Sequence, residues 1–240
     1  IKIGGFTKID ELVYGTILHS YKFPDIRAIT NVQDIKSLTA DMANKSKSDL
    51  IVSIGFASSI QAGLNTGDLV LCNSIFSLTG PPAYWSRDSA SQLTTDYLPM
   101  KQCLQDLKHK LIREPIIGDC LTLPQYTIST SMKNWIGYRF PVSIIDTDAH
   151  HILEQCKASE IACMIIRSIV NPLSQTSNES ISMGGAGLNT GDIPHGLLNT
   201  LLSYPASIVK GVKTATRQKK ASSSLSEFLL TYTDDKFKTK

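Results

Sequence analysis

The sequence predicts an α/β fold, a three-layer α/β/α sandwich with a central mixed, mostly parallel sheet. Two segments, 49–55 and 162–170, are almost continuously apolar, which is typical of strands buried on both faces of such a sheet. Around them apolar residues recur at helical spacing, as at Ile35, Leu38 and Met42. Alternating helices and doubly buried strands predict helical layers on both faces of one central sheet.

Length and composition are those of one ordinary globular domain. The chain has 240 residues, of which 42% are hydrophobic and 19% are charged. Large α/β folds of this length are commonly a single unit, so we assign residues 1–240 to one domain. The net charge of +3 is too small to predict nucleic acid as a partner.

The cysteines and the hydropathy pattern predict the compartment. The chain has five cysteines, and none of them belongs to a CxxC pair. An odd number at wide spacing predicts buried thiols in a reducing compartment, not disulfides or a zinc site. No apolar run approaches ~18 residues, and no signal peptide pattern opens the chain. We therefore expect a cytoplasmic protein.

The remaining elements follow from the same patterns and from turn residues. Predicted strands cover 1–6, 26–32, 69–72, 115–122 and 142–146, and predicted helices cover 9–21, 104–111 and 149–156. Residues 79–95 are rich in Gly, Pro, Ser and Thr and predict a long loop. Residues 173–194 predict a mobile loop. A basic helix is expected over about 205–232.

Small and polar residues stand directly after three of the predicted strands. They occupy 53–59, 145–149 and 166–172, and the turn 65–68 follows the first of these. In open α/β sheets, ligands bind beyond the carboxyl ends of the strands. A glycine such as Gly55 lets the main chain approach a ligand closely. The sequence therefore predicts the functional site where these three strand ends meet.

The motifs at these positions point to a family. They are Gly55 to Ser59, Gly67 to Val70, Asp146 to Ala149 and Arg167 to Asn171. In order and spacing they resemble the nucleoside phosphorylase/nucleosidase superfamily, whose members carry G-x-A-G-G, G-D-[IL]-V, D/E-M-E-[AS] and R-[AV]-I-S-D. The superfamily includes methylthioadenosine and adenosylhomocysteine nucleosidases, and the resemblance covers most of residues 1–235. It implies a purine nucleoside as the small-molecule partner and no metal or organic cofactor.

The resemblance implies roles for the polar residues at two of the strand ends. Asp148 stands where the family's glutamate binds the ribose hydroxyls, and Thr147 beside it joins the substrate-binding set. Asn171 stands where an aspartate donates a proton to purine N7. An amide can hydrogen-bond to N7, but its NH2 group is not usefully acidic. Asn171 is nevertheless the residue that the resemblance places in the catalytic position.

The resemblance also implies residues around the sugar and the base. Tyr126 is the candidate to stack on the base, and Glu11 is the candidate to orient the attacking water. Phe56, Ala57 and Ser58 would lie along the ribose, with Ser58 and Ser59 replacing two glycines of the motif. The arginine that binds phosphate in phosphorylases is missing, since Ser53 occupies that neighbourhood. Water is therefore favoured over phosphate as the nucleophile.

Each of these residues also has a structural alternative. Gly55 and Ala57 could simply turn a buried strand, and Asp148 could cap a helix N-terminus. Asn171 before Pro172 is a common turn pair. Tyr126 could belong to the core, Glu11 could be an exposed helix carboxylate, and Arg167 is expected to pair with a carboxylate. His150 and His151 are adjacent and should face different directions, so no metal site is expected.

The C-terminal part resembles one branch of the superfamily more closely. An acidic-Gly turn at 191–192, a Leu-rich helix, Pro205 and a basic helix resemble the hopanoid-associated branch, whose members process adenosylhopane. The basic residues are Lys210, Lys213, Arg217, Lys219 and Lys220. They form either a solvated helix face or a membrane-surface patch suited to a lipid-linked nucleoside. The nucleosidase branch also implies a homodimer.

Two functions remain open from the sequence alone. The first is cleavage of the N-glycosidic bond of an adenosine-type purine nucleoside, either by water or by phosphate. The second is a non-catalytic nucleoside-binding or scaffold protein that has kept the fold and lost the acid. The substitutions at Ser58, Thr147, Asp148 and Asn171 favour the second function. The retained polarity of Asp148 and Asn171 favours the first.

Overall fold

The structure is a computed structural model that describes residues 16–20, 26–29, 37, 50–80, 82–124, 129–173 and 205–238. Its strands are β1 (Thr16–Ser20), β2 (Ile26–Ile29), β3 (Leu50–Ser59), β4 (Leu69–Ser77), β5 (Ser91–Thr94), β6 (Ile116–Thr122), β7 (Ile144–Asp146) and β8 (Ala162–Asn171). Its α-helices are α1 (Tyr97–Leu107), α2 (Thr130–Arg139), α3 (Ala149–Ala158) and α4 (Pro205–Lys238). A 3-10 helix covers Pro82–Tyr84.

In the described residues the strands form one mixed sheet of eight strands. Its order is β2-β1-β3-β7-β6-β4-β5, and β8 pairs with both β3 and β4. The longest pairing is parallel and joins the two apolar segments, from Leu50 opposite Ala162 to Ser58 opposite Asn171. Parallel pairs also join β4 to β6 and β6 to β7, whereas β1–β2, β1–β3, β3–β7, β4–β5 and β4–β8 are antiparallel. Among the described strands antiparallel pairs therefore outnumber parallel ones, which differs from the mostly parallel sheet predicted. The predicted mixed α/β architecture is confirmed.

Alternate residues of β3 enter two different apolar clusters, so helices cover both faces of the sheet. Ile51 and Ala57 pack in one cluster with residues of α3, including Ile152. Val52 lies in the other cluster, where α1 and α4 contribute buried side chains such as Phe228. Successive side chains of a β-strand point to opposite faces of the sheet, so a strand that is buried on both faces contributes to two clusters in this way. The five cysteines are all buried, as predicted.

The structure corrects two predicted elements. The helix expected over 9–21 is wrong for residues 16–20, which form β1 and pair with β2 and β3. Pairing with two neighbouring strands outweighs the local helical spacing there. The predicted loop 79–95 contains β5, a largely exposed edge strand whose side chains gave no apolar alternation. The predicted mobile loop 173–194 lies outside the described residues after position 173.

The long C-terminal helix packs through one apolar face. Ala221, Leu225, Phe228 and Tyr232 are buried, and Lys219 and Lys220 are exposed. A helix with one apolar stripe is stabilised mainly by packing that stripe on the core. In the described ranges, no helix has the length and apolar character needed to cross a membrane.

Gly137 lets α2 approach the end of β3, and its substitution tests that packing. A Cβ atom at Gly137 would lie 3.0 Å from the main-chain oxygen of Ile60. Because that neighbour is backbone, we expect Gly137→Ala to lower the free energy of unfolding by ~1–3 kcal/mol in urea denaturation. The adjacent Tyr138 is 90% exposed, so Tyr138→Ala should stay within about 0.5 kcal/mol. Equal stabilities for the two variants would contradict the close approach.

Candidate active site at three strand ends

Three strand ends that the sequence singles out meet beside Ser58. In the sheet, Ser58 lies opposite Ile145 of β7 and opposite Asn171 of β8. The β3–β8 register shifts between Ala57 and Ser58, so the strand bends at this point. Ile145 and Asn171 therefore both lie next to Ser58, but β7 runs antiparallel to β3, so the carboxyl end of β7 points away from the carboxyl ends of β3 and β8. That one site uses Asp148 and Asn171 together stays a prediction.

Arg167 lies opposite Gly55, in the middle of the β3–β8 pair, and joins two carboxylates. Its guanidinium donates from Nε to Asp146 Oδ2 at 2.9 Å and from Nη2 to Asp148 Oδ1 at 3.0 Å. Nη1 donates to Ser53 Oγ at 3.1 Å and to the Ile166 main-chain oxygen at 3.1 Å. The Arg167 side chain is fully buried. Burial lowers its pKa, but Asp148 and Asp146 together raise the pKa above its ordinary value, so the guanidinium stays charged.

Asp146 has a structural role that the sequence did not reveal. It accepts hydrogen bonds from Thr122 Oγ1 at 2.7 Å and from the main-chain N–H of Ala149 at 3.1 Å. The second bond satisfies a free donor at the start of α3. Asp148 occupies the N-cap position of α3 but makes no side-chain capping bond. The alternative in which the Asp148 carboxylate caps the helix is therefore wrong, because Asp146 satisfies that turn.

Asp148 is a half-buried carboxyl group whose pKa is raised well above its ordinary value. Burial raises its pKa to about 7, and its hydrogen bond with Asp146 acts in the same direction, while Arg167 opposes both. Its side chain retains 13% exposure, against 1% for Asp146. The carboxyl group nearer to solvent is therefore Asp148. A group with a shifted pKa at a strand end is typical of a functional site.

The other predicted substrate-binding residues lie at different depths. Ala57 is fully buried in a core cluster, and Phe56 is partly buried against the opposite cluster. Ser58 is fully buried, as is Ser59, whose hydroxyl bonds to the main chain of Gln61. Thr147 is half-buried beside Asp148.

Two of the predicted site residues, Glu11 and Tyr126, lie outside the described residues.

Lys133 is a buried cation next to Asn171. It lies on α2, its exposure is 1%, and its Nζ donates to the Asn171 main-chain oxygen at 3.1 Å. Burial, followed by the positive charge of Arg217, lowers the pKa of Lys133 to about 8. The sequence reasoning missed this residue, although Ile136, Gly137 and Phe140 follow it at three, four and seven positions, the spacing of one helix face.

The Gly67-Asp68 segment builds a turn and does not reach the carboxylate cluster. Gly67 has φ of +88°, a conformation that favours glycine. Its N–H donates to the Ile169 oxygen at 2.8 Å, and the Ile169 N–H donates to the Asp68 oxygen at 2.9 Å. The Asp68 carboxylate pairs with Arg113 and accepts from the Asn65 N–H at 2.7 Å. This motif fixes the turn against β8.

One group of side chains has the composition of a metal site. Ligand atoms of His150, His151 and Glu154 lie within 4.8 Å of one another, closer than the sequence suggested for adjacent histidines. His150 is buried and its Nε2 lies 3.2 Å from Ser91 Oγ, while Glu154 is exposed. Within the described part of the chain these are the residues that could hold a cation.

Comparison with known proteins decides the family. The family model of the phosphorylase superfamily matches residues 26–185, which include all three strand ends. The chain belongs to the phosphorylase superfamily. Among curated proteins, no sequence matches it. The sequence-based assignment to the nucleoside phosphorylase/nucleosidase superfamily is therefore confirmed.

Solved structures share the fold of this superfamily member at low sequence identity. Helicobacter pylori futalosine hydrolase superposes with a TM-score of 0.63 at 13% identity, covering 87% of this chain and 78% of that one. The 5′-methylthioadenosine/S-adenosylhomocysteine nucleosidase from Helicobacter pylori with butyl-thio-DADMe-Immucillin-A gives 0.66 at 13%, covering 97% and 94%. The Neisseria meningitidis nucleosidase with methylthio-immucillin-A gives 0.58 at 13%, covering 87% and 82%. At this identity the likeness establishes the fold.

Proposed function

We propose that this chain cleaves the N-glycosidic bond of an adenosine-type purine nucleoside at the strand ends that carry Asp148 and Asn171. The observation that carries the proposal is the placement of Asp148. It is half-buried, accepts a hydrogen bond from Arg167 through Oδ1, and makes no side-chain capping bond to α3, whose first turn is capped by Asp146. Its side chain keeps 13% exposure, and a carboxylate is a strong acceptor for the hydroxyls of a ribose.

The proposed reaction passes through a ribosyl cation. As the C1′–N9 bond breaks, positive charge develops on the sugar, and the Asp148 carboxylate beside it stabilises that charge. Asn171 contacts purine N7 through its amide. Water is the proposed nucleophile, because Ser53 is buried and engaged by Arg167, with no arginine in its place to bind phosphate. Glu11 and Tyr126 keep their proposed roles in orienting water and stacking the base.

The experiment for this proposal is the release of free adenine. Purified protein is incubated with adenosine, methylthioadenosine and a lipophilic adenosine analogue, with and without phosphate, beside an Asn171→Asp variant. Release without phosphate supports hydrolysis, and release that requires phosphate supports phosphorolysis. Preference for the lipophilic analogue would support an adenosylhopane-like substrate and a membrane-surface role for the basic residues of α4. We also propose a homodimer, which the resemblance to the nucleosidase branch implies. Measuring the molecular mass of the protein in solution tests this proposal.

A non-catalytic nucleoside-binding protein is the second candidate. It is favoured by Ser58 and Ser59, whose buried hydroxyls replace two glycines, and by the amide of Asn171. Release from Asn171→Asp but not from the wild-type protein would support this candidate, because only the acid would then be missing. If neither the wild-type protein nor Asn171→Asp releases adenine, the result would support a scaffold protein.

The pKa of Asp148 predicts how nucleoside binding depends on pH. Below about 7 the carboxyl group holds a proton and loses an acceptor, and above it the carboxylate accepts from both ribose hydroxyls. The charged groups that face it are Arg167 and Asp146. We expect the Kd of a non-cleavable nucleoside to fall as pH rises from 6 to 8 by about tenfold, and to be flat for Asp148→Asn. Equal pH dependence in both proteins would contradict this.

A further inference from the structure

Lys133 is a lysine that is almost fully buried beside the end of β8. Its side chain is among the largest fully buried ones and lies on the same face of α2 as Ile136. Lysine is almost never fully buried unless it is paired. Among the described residues, no carboxylate forms a salt bridge with Lys133, and the charged group that faces it is Arg217.

Next to Asn171, the Lys133 ammonium group makes fewer hydrogen bonds within the described ranges than it has N–H donors. It can donate three hydrogen bonds. Within the described ranges it donates one, to the Asn171 main-chain oxygen at 3.1 Å. In the same ranges, the Asn171 side-chain amide makes no hydrogen bond, and Asn171 is half-buried. A buried donor without an acceptor is costly, so this geometry suits a ligand that brings an acceptor to Asn171.

We propose that Lys133 is the proton donor for the leaving purine. This inference rests on the proposed N-glycosidic cleavage. It assigns to Lys133 the protonation of the leaving base, which the Asn171 amide cannot perform because it has no acidic proton. The C1′–N9 bond breaks and its electron pair stays on the purine, while a proton passes from Lys133 Nζ to N7, directly or through one water. The attacking water adds its oxygen to C1′, and the proton that it releases restores the ammonium group.

The acidity of Lys133 suits this role. Burial and the charge of Arg217 bring its pKa to about 8, close to the pH at which a cytoplasmic enzyme works. General acids are most effective when their pKa lies near the working pH. At pH 7 the amine therefore carries the proton and releases it more readily than an exposed lysine does. Asn171 then positions the base, and Lys133 protonates it.

A comparison of two leaving groups tests this proposal in Lys133→Met. Adenine needs protonation to depart, whereas p-nitrophenolate departs from p-nitrophenyl riboside without it. We expect Lys133→Met to lower the kcat for adenine release by ~10²-fold and the kcat for p-nitrophenol release by less than about threefold. The matched control is Lys101→Met, at an exposed lysine of α1, which should change neither rate.

A second variant separates proton donation from a role in folding. Methionine fills about the same volume as lysine without a buried charge, so Lys133→Met is expected to fold. If it does not fold, Lys133→Gln replaces it in the same assays. In the Lys133→Met background, Asn171→Asp should restore adenine release, because the new carboxyl group supplies the proton. Equal losses for both leaving groups would assign Lys133 to positioning and overturn the proposal, as would unchanged rates. A wild-type protein that releases neither product would instead refute the proposed function itself.

Discussion

Replacing Arg167 with methionine is expected to lower the free energy of unfolding by ~3–5 kcal/mol. The side chain is fully buried and bridges Asp146 and Asp148 at 2.9 and 3.0 Å. Removing the cation leaves two buried carboxyl groups without their counter-charge, and a buried unpaired charge is strongly destabilising. Urea denaturation at pH 7 measures the loss, and the exposed Arg87→Met is the matched control, expected within about 0.5 kcal/mol.

The pH dependence of that loss distinguishes lost charge from lost volume. Burial raises the pKa of Asp148 and Arg167 opposes that rise, so without Arg167 the Asp148 carboxyl group holds its proton to a still higher pH in the folded protein than in the unfolded one. The folded state then binds more protons, so the stability of the variant falls as pH rises. We expect the deficit relative to wild type to be larger at pH 8 than at pH 5. A deficit that is independent of pH would assign the effect to packing alone.

Replacing Asp148 with alanine is expected to lower kcat/KM for a purine nucleoside by about 10³-fold. The carboxylate is proposed to accept from two ribose hydroxyls, and hydrogen bonds to charged groups contribute ~1.5–3 kcal/mol each. Each ~1.4 kcal/mol corresponds to a tenfold change in rate. Steady-state assays of base release measure the change. Asp148→Asn should keep part of the activity, because the amide still contacts the hydroxyls.

The control for Asp148 is Asp88→Ala, because Asp88 is exposed in the segment between β4 and β5. It removes a carboxylate without touching the strand ends and should leave kcat/KM unchanged. Asp148→Ala also removes one partner of Arg167, which keeps its bond to Asp146. The folded fraction of each variant is therefore measured by circular dichroism before the rates are compared. A rate for Asp148→Ala equal to that for Asp88→Ala would contradict the ribose-binding role.

The central sheet could be predicted from the sequence because its signal is local. The segments that form β3 and β8 are apolar on both faces, and their polar ends mark the edge at which ligands bind in this class of fold. β1 could not be predicted in the same way. Its strand conformation depends on pairing with β2 on one side and, on the other, with β3, which begins only at Leu50.

The contacts between the side chains of the candidate site could be predicted less well from the sequence than the strands that carry them. Asp146 and Asp148 are both acidic and two residues apart, so the sequence does not reveal which one caps α3 and which one is nearer to solvent. The geometry of β7 and the hydroxyl of Thr122 decide it. Lys133 was missed because it lies on a helix outside the motifs, and its proximity to Asn171 depends on how α2 packs.

The most direct measurement is the binding of an adenosine analogue whose base is attached to the sugar through carbon. Such a compound cannot be cleaved, so calorimetry at pH 8 reports the nucleoside site whether or not the chain is an active enzyme. We expect one site per chain, weakened at least a hundredfold by Asp148→Ala and unaffected by Asp88→Ala. No binding by the wild-type protein, or equal binding by both variants, would contradict a purine nucleoside site at the ends of β3, β7 and β8.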